Sequence, residues 1–286
     1  EQWPVTSPPM ATITVEPQLR DAHESERLIP YLRDLWSRRS YIRYVATSEL
    51  RNRQITTVLG NFWHLLNPAL AIAVYYVIFG LVLKVDRGVD NFILFLTVGI
   101  FVFQYTQRAT IDGAKSIIGN IGLLKAIKFP RAMLPITSTV TETLSSLPTF
   151  LVVFAVALLT GQSPRASWLL FPVLVAVQLV FNMGASMFAA RATTHFRDIT
   201  QILPFAFRLL LYGSGVIFSA EAYASGRFSW VFTINPVYGF ITIARWCIMG
   251  GSIDAKLVPI VVAWSVVLLV GGFLWFRAGE ERYARD

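Results

Sequence analysis

Few residues in this chain have the types and spacing that chemistry needs. His23, His64 and His195 stand far apart, Cys247 is the single cysteine, and no H-E-x-x-H or paired cysteines supply a metal site. The stretch YGSGV, Tyr212 to Val216, holds a serine between glycines but is not the G-x-S-x-G elbow of a serine hydrolase. No G-x-x-x-x-G-K-[ST] phosphate loop occurs, so the usual route to ATP hydrolysis is missing and any energy from ATP comes from another polypeptide. The convergent catalytic groups of an enzyme are thus not found, and no cofactor or metal is expected on this chain. Two charges in apolar surroundings remain, Glu142 in TSTVTETLSS and Arg208. Such groups are costly in a membrane and mark ion pathways, polar lining or packing. Two isolated charges are thin for a proton relay, so lining or packing is the better reading.

The elements that must position these residues are membrane helices. Of 286 residues, 55% are hydrophobic and 15% charged, more apolar surface than one soluble core needs. Spans of about 20 apolar residues are expected at Trp63 to Leu83, Phe92 to Ile111, Met133 to Thr160, Trp168 to Ala190 and Leu257 to Phe276. A sixth runs over Thr200 to Ala220 with Pro204 inside. Phe228 to Met249 is long enough to cross but is cut by Asn235-Pro236 and carries Arg245. It is either a seventh span or a pair of short helices that dips and returns. With six spans and both termini cytoplasmic, eighteen of the 25 Lys and Arg fall on the inner side, as the positive-inside rule favours. A seventh span would put the tail RAGEERYARD, with its three arginines, outside, which favours the re-entrant pair.

The expected architecture is all-α integral membrane, with six transmembrane helices, an N-terminal amphipathic interface helix, and re-entrant external helices before the last span. The domain reading is a flexible tail over 1–26, a cytoplasmic amphipathic region over 27–62, the transmembrane domain over 63–276, and a cytoplasmic tail over 277–286. Leu28, Leu32, Leu35, Ile42 and Val45 recur at near-helical spacing opposite Arg27, Asp34, Arg38 and Arg39, which suits a headgroup surface or a partner. Trp36, Tyr41 and Tyr44 fit the same interface.

NIGLLKAIKFPRAMLP, Asn120 to Pro135, is apolar yet holds Lys125, Lys128 and Arg131 between two spans. Pro130 pushes Phe129 out of helix, so a short helix ending near Lys128 is expected. Its lysines either hold the loop inside or border a contact surface formed by Asn120, Ile121, Leu123 and Leu124.

Four stretches in this order and spacing resemble the permease subunit of ABC-2-type polysaccharide exporters, the Wzm type that passes lipid-linked O-antigen, teichoic acid or galactan outward. They are ELRNRQITTVLGNFWHLLNPAL, NIGLLKAIKFPRAMLP, FRDITQILPFAFRLLLYGSGVIFS and NPVYGFITIAR. The details are most similar to the actinobacterial exporter of lipid-linked galactan. The resemblance implies that this chain is a transport subunit and not an enzyme, acting as a homodimer of six-span permeases in the bacterial plasma membrane, with two copies of a separate ATPase subunit that binds ATP and Mg. It implies that Asn120 to Lys128 is the coupling helix seated in that ATPase, and that Glu221 to Met249 forms the external gate helices. A sliding sugar chain favours rings that offer flat area and a polar tip. Tyr75, Tyr76, Phe101, Phe103, Tyr105 and Tyr212 are the expected lining of its path. An ABC-2 permease for drugs or other lipids is the nearest rival. A secondary transporter would show internal repeats, and a membrane glycosyltransferase would group carboxylates around a metal; neither pattern is visible.

Overall fold

In a computed structural model, residues 28–55, 63–78, 91–127, 129–217, 229–280 and 283 are described, and among them the regular structure is helical. In chain order the helices are α1 (Leu28–Ser37), α2 (Arg39–Ile55), α3 (Trp63–Tyr75), α4 (Phe92–Lys115), α5 (Ile121–Ala126), α6 (Met133–Leu159), α7 (Phe171–His195), α8 (Ile199–Gly213), α9 (Ser229–Ile234), α10 (Pro236–Met249) and α11 (Leu257–Arg277). A 3-10 turn, Ala166–Leu170, leads into α7. Four of these segments are long and apolar enough to cross a membrane: Phe92–Lys115, Met133–Leu159, Ala166–His195 and Leu257–Arg277. The chain is thus an all-helical, multi-pass membrane protein.

Helix α4 is the axis of the bundle. It starts where the Asn91 side chain accepts from the Leu94 N–H at 3.1 Å, a regular N-cap. It is apolar nearly all round and is buried from Leu94 through Phe103, the pattern of a helix enclosed by others. Helix α6 carries many hydroxyl groups, and these answer themselves: Thr139, Thr141 and Thr143 each donate to the carbonyl four residues back, at 2.8, 2.9 and 2.8 Å. A hydroxyl bonded this way enters an apolar bundle without an orphaned donor.

Side-chain pairings fix the directions. Gln178 donates to Val102 O and Ser186 donates to Ala109 O, so α7 runs parallel to α4. A Cβ on Gly184 would fall 2.3 Å from the Leu268 carbonyl carbon, and one on Gly272 would fall 2.4 Å from the Gly184 oxygen. The bare glycines let α7 and α11 touch backbone to backbone, as small residues do between membrane helices. Farther along, Phe188 stacks on Trp275 and Gly279 lies against Arg191, so α11 also runs parallel to α7. Tyr105 meets Thr143 and Phe150 while Thr139 meets Ser186, which sets α6 antiparallel to both. The bundle therefore has a head, where α4, α7 and α11 begin, and a foot, where they end.

Helix α10 occupies only the head half. Its first turn lies level with Val261 and Phe181, and its last residues reach the 3-10 turn: Ser167 Oγ donates to Cys247 O and Trp168 Nε1 to Ile248 O. Asn235 caps it by accepting from Val237 N, and α9 precedes it, so Asn-Pro does separate two short helices.

Two expectations change. The sixth span is realised as α8, which stops at Gly213; its 15 residues rise about 22 Å, less than a hydrocarbon core. The single surface helix is two helices broken at Arg38. Along α1, Leu28, Ile29, Leu32 and Trp36 are exposed, as an interface helix requires, whereas α2 stands against α6, with Ile42 and Ala46 buried and Glu49 accepting from Thr141 at 3.5 Å. The part of the expected first span over 79–83 lies outside the described residues.

Candidate functional site

The foot of the bundle gathers most of the chemistry. After α4, Ser116 Oγ bonds back to Gly113 O and Asn120 Nδ2 to Ser116 O, carrying the chain through a 3-10 turn, Ile118–Asn120, into α5. Pro130 forbids helix at Phe129, and the backbone is already extended at Ile127. The expected short helix therefore exists but ends at Ala126; Lys128 lies outside the described residues.

Its two leucines are not equivalent. Leu124 is 7% exposed and packs with Tyr31, Ile117, Ala132, Met187 and Phe276. Leu124, expected on the contact surface with Leu123, is placed by the structure on the inward side of α5, against the bundle. Asn120 and Lys125 are exposed, and Ile121 and Leu123 are half-buried. Leu123 borders a cavity of about 310 Å³ between α2, α4 and α6 that also meets Tyr41, Glu49, Asp112, Lys115 and Phe129.

Beside this loop lies a clasp that the sequence did not announce. Tyr31 Oη donates to Glu280 Oε1 at 2.9 Å and accepts from the Ala132 N–H at 3.2 Å; the Arg131 N–H donates to the same Glu280 oxygen at 2.8 Å. Arg277 sits over the Tyr31 ring at 5.1 Å. One tyrosine and one carboxylate thus tie α1, the start of α6 and the C-terminal segment together. Burial raises the Glu280 carboxyl above its ordinary range despite the hydrogen bonds it accepts, and burial with the Glu280 charge raises Tyr31 as well. Tyr283, whose hydroxyl donates to Phe276 O at 2.8 Å, is raised chiefly by burial.

The six expected path residues separate. Phe101 and Phe103 are 1% exposed and Tyr105 is fully buried, hydrogen-bonded to Thr143 at 2.7 Å. In this structure they lie in the core, since α4 is buried without a break from Leu94 to Phe103 and Tyr105 is turned to α6. Tyr76 is half-buried and Tyr212 is exposed; the side chain of Tyr75 lies outside the described residues. Of the two membrane charges, Glu142 is buried on α6 and Arg208 is exposed on α8 with its guanidinium 5.5 Å from the Phe205 ring.

Arg245, counted from sequence as an external loop charge, is a buried group at the head. Its Nε donates to Phe95 O at 3.2 Å and its two terminal nitrogens to Gly215 O and Val216 O at 2.9 and 2.8 Å, while its guanidinium carbon lies 3.3 Å from the centre of the Phe95 ring.

No family model matches the chain. It is 28% identical over 241 residues to an O-antigen export system permease protein, RfbA, of Klebsiella pneumoniae, spanning 84% of this chain and 92% of the relative. Its similarity to the RfbA permease of Myxococcus xanthus is 26% over 262 residues, 91% of this chain and all of the relative.

Proposed function

We propose, from the premise that the chain is a permease of the ABC-2 polysaccharide-exporter kind, that it moves a lipid-linked polysaccharide, galactan or O-antigen-like, outward across the bacterial plasma membrane. The carrying observation is the likeness to O-antigen export permeases along most of the chain, 84% and 91% of it in the two relatives. ATP hydrolysis takes place on two copies of a separate ATPase, and the permease acts as a pair.

The path of the chain supports six spans with a re-entrant segment. Helix α8 intervenes between the parallel helices α7 and α11, so if it crosses, residues 214–256 must leave and return at the head. Helix α10 fits that requirement, because its 14 residues rise about 21 Å and extend from mid-bundle to the head only. The head is then the external face, both termini are cytoplasmic, and α9 with α10 forms the external gate. In a Cys247→Ser background, an impermeant thiol reagent should reach a cysteine placed at Ser225 and not one at Ala284; labelling at Ala284 would remove the six-span topology.

At the foot, Asn120, Ile121, Leu123 and Lys125 form the ATPase seat with Lys128, while Leu124 anchors that seat to the bundle. On α8, Ile202, Phe205, Leu209 and Tyr212 form an exposed apolar stripe suited to a second copy or to lipid, and Tyr212 with Tyr75 and Tyr76 remains the proposed contact with the polymer. The seat is tested with Leu123→Asp and Lys125→Glu, which spare the buried Leu124. ATPase co-purification and polymer export should both fall severely while membrane insertion persists. Normal export would refute docking at α5.

A further inference from the structure

A second cavity at the foot, about 230 Å³, is built from two unlike walls. Ile117, Ile118 and Ile121 supply an aliphatic side. Thr194, His195, Arg197 and Tyr283 supply the other, and none of the described residues lining the cavity is acidic. Arg197 belongs to the Phe196-Arg197-Asp198 turn, and its guanidinium makes no ion pair among the described residues. Behind Tyr283 lies Arg191, held 4.7 Å over the Trp275 ring; its Nε and one terminal nitrogen are buried and find no hydrogen-bond partner among the described residues. A buried cation with unanswered donors favours an anion close by.

Depth narrows the anion. Ile117 is two residues past the end of α4 and Thr194 lies in the last turn of α7, and both helices are long enough to cross a membrane. A cavity at such helix ends stands at headgroup level, where a ligand has a charged part and an apolar part. An inorganic anion would leave the isoleucine wall without a use, and an acidic peptide would not match it either.

Resting on the export reading above, we propose that this cavity holds the phosphate-bearing headgroup of a lipid, its oxygens against His195 and Arg197 and the first carbons of its chain on Ile117, Ile118 and Ile121. Ile121 is shared with the ATPase seat, so an occupied cavity presses on the helix that the ATPase would grip.

The test uses the purified full-length permease in zwitterionic nanodiscs without ATPase or polymer, with farnesyl diphosphate as probe and inorganic pyrophosphate and farnesol as controls. Farnesyl diphosphate should bind at least about tenfold more tightly than either control, and His195→Ala with Arg197→Ala should weaken it at least about tenfold, the loss of one charge-assisted hydrogen bond. Arg197→Lys should retain part of the affinity, and Arg208→Ala should change nothing. Because His195 and Arg197 are exposed, the double variant should keep its native elution profile. Pyrophosphate binding as tight as the probe would reassign the cavity to a free anion, and equal farnesol binding would make it a plain apolar pocket. Unchanged probe affinity in the double variant would place the lipid elsewhere. Lost ATPase co-purification with that unchanged affinity would mark an acidic patch on the ATPase as the occupant. Each of these four outcomes overturns the proposal. None bears on export itself, which fails separately if the native permease binds farnesyl diphosphate yet moves no polymer.

Discussion

The two ends of the bundle both bury arginines and treat them oppositely. At the head, Arg245 meets three backbone carbonyls and an aromatic face, and the end of α10 is pinned by Arg165, which donates to Met249 O at 3.0 Å. At the foot, Arg131 and Arg191 keep buried nitrogens without acceptors among the described residues, beside a clasp in which one carboxylate serves several donors. The difference lies in acceptors, not in residue type. A guanidinium surrounded by carbonyls is finished and holds structure, whereas one short of acceptors keeps donors in reserve for a group that arrives.

The largest effect should therefore come from Arg245. Arg245→Met keeps bulk but leaves the Phe95, Gly215 and Val216 carbonyls facing an apolar side chain. Hydrogen bonds from a charged donor are worth about 1.5–3 kcal/mol each and orphaned buried groups carry their own penalty, so a loss of several kcal/mol is expected. Thermal unfolding of the detergent-solubilised permease measures it. Gly99→Ala sharpens the point, since its Cβ would lie 2.5 Å from an Arg245 terminal nitrogen and displace the guanidinium without removing it. Its effect should be in the same direction and smaller. A native unfolding midpoint for Arg245→Met would erase the distinction between the ends.

How much of this was legible depended on whether the signal was local. The spans at Phe92, Met133, Trp168 and Leu257 are apolar runs, and the helices begin within a few residues of those positions. The uniform apolarity of the first half of α4 also foretold the burial of Phe101 and Phe103. Leu124 gave no such sign, because six residues are too few to establish a helical face. The acceptors of Arg245 are main-chain carbonyls, which no residue type advertises, and Tyr31 meets Glu280 across 249 positions.

The clasp at the foot should yield an intermediate effect with a pH signature. Tyr31→Phe removes a donor to Glu280 and an acceptor for Ala132 N–H, about 1–2 kcal/mol of stability. Glu280→Gln keeps an acceptor for Tyr31 and Arg131 without the charge. Because burial raises the folded carboxyl above its ordinary 4.5, the folded state holds a proton that the unfolded state releases. The stability from protonated Glu280 is present below the unfolded value and is lost as pH rises through the raised folded value. Native permease should therefore lose stability relative to Glu280→Gln across that interval and run parallel to it on either side. Parallel curves throughout would mean that Glu280 keeps its charge on folding, and the foot would then be as well satisfied as the head.

The smallest effect is expected between the ends, at Glu142. This residue is 2% exposed and lies on the face of α6 where Thr137, Thr141 and Ser145 are also buried. Helix α2 packs along α6, and Thr141 faces Glu49 there, so polar groups from two helices share the seam. In such a seam the carboxyl contributes shape and hydrogen-bonding capacity, both of which glutamine retains, and α6 itself carries no second carboxylate to hand a proton along it. Glu142→Gln should leave polymer export within about twofold of native, a change of roughly half a kcal/mol. Export is measured beside assembly with the ATPase and its hydrolysis rate, because only the combination is decisive. If assembly and hydrolysis stay normal while export disappears, ionisation of Glu142 is part of transport, and the middle of the bundle joins the foot in holding a charge for use.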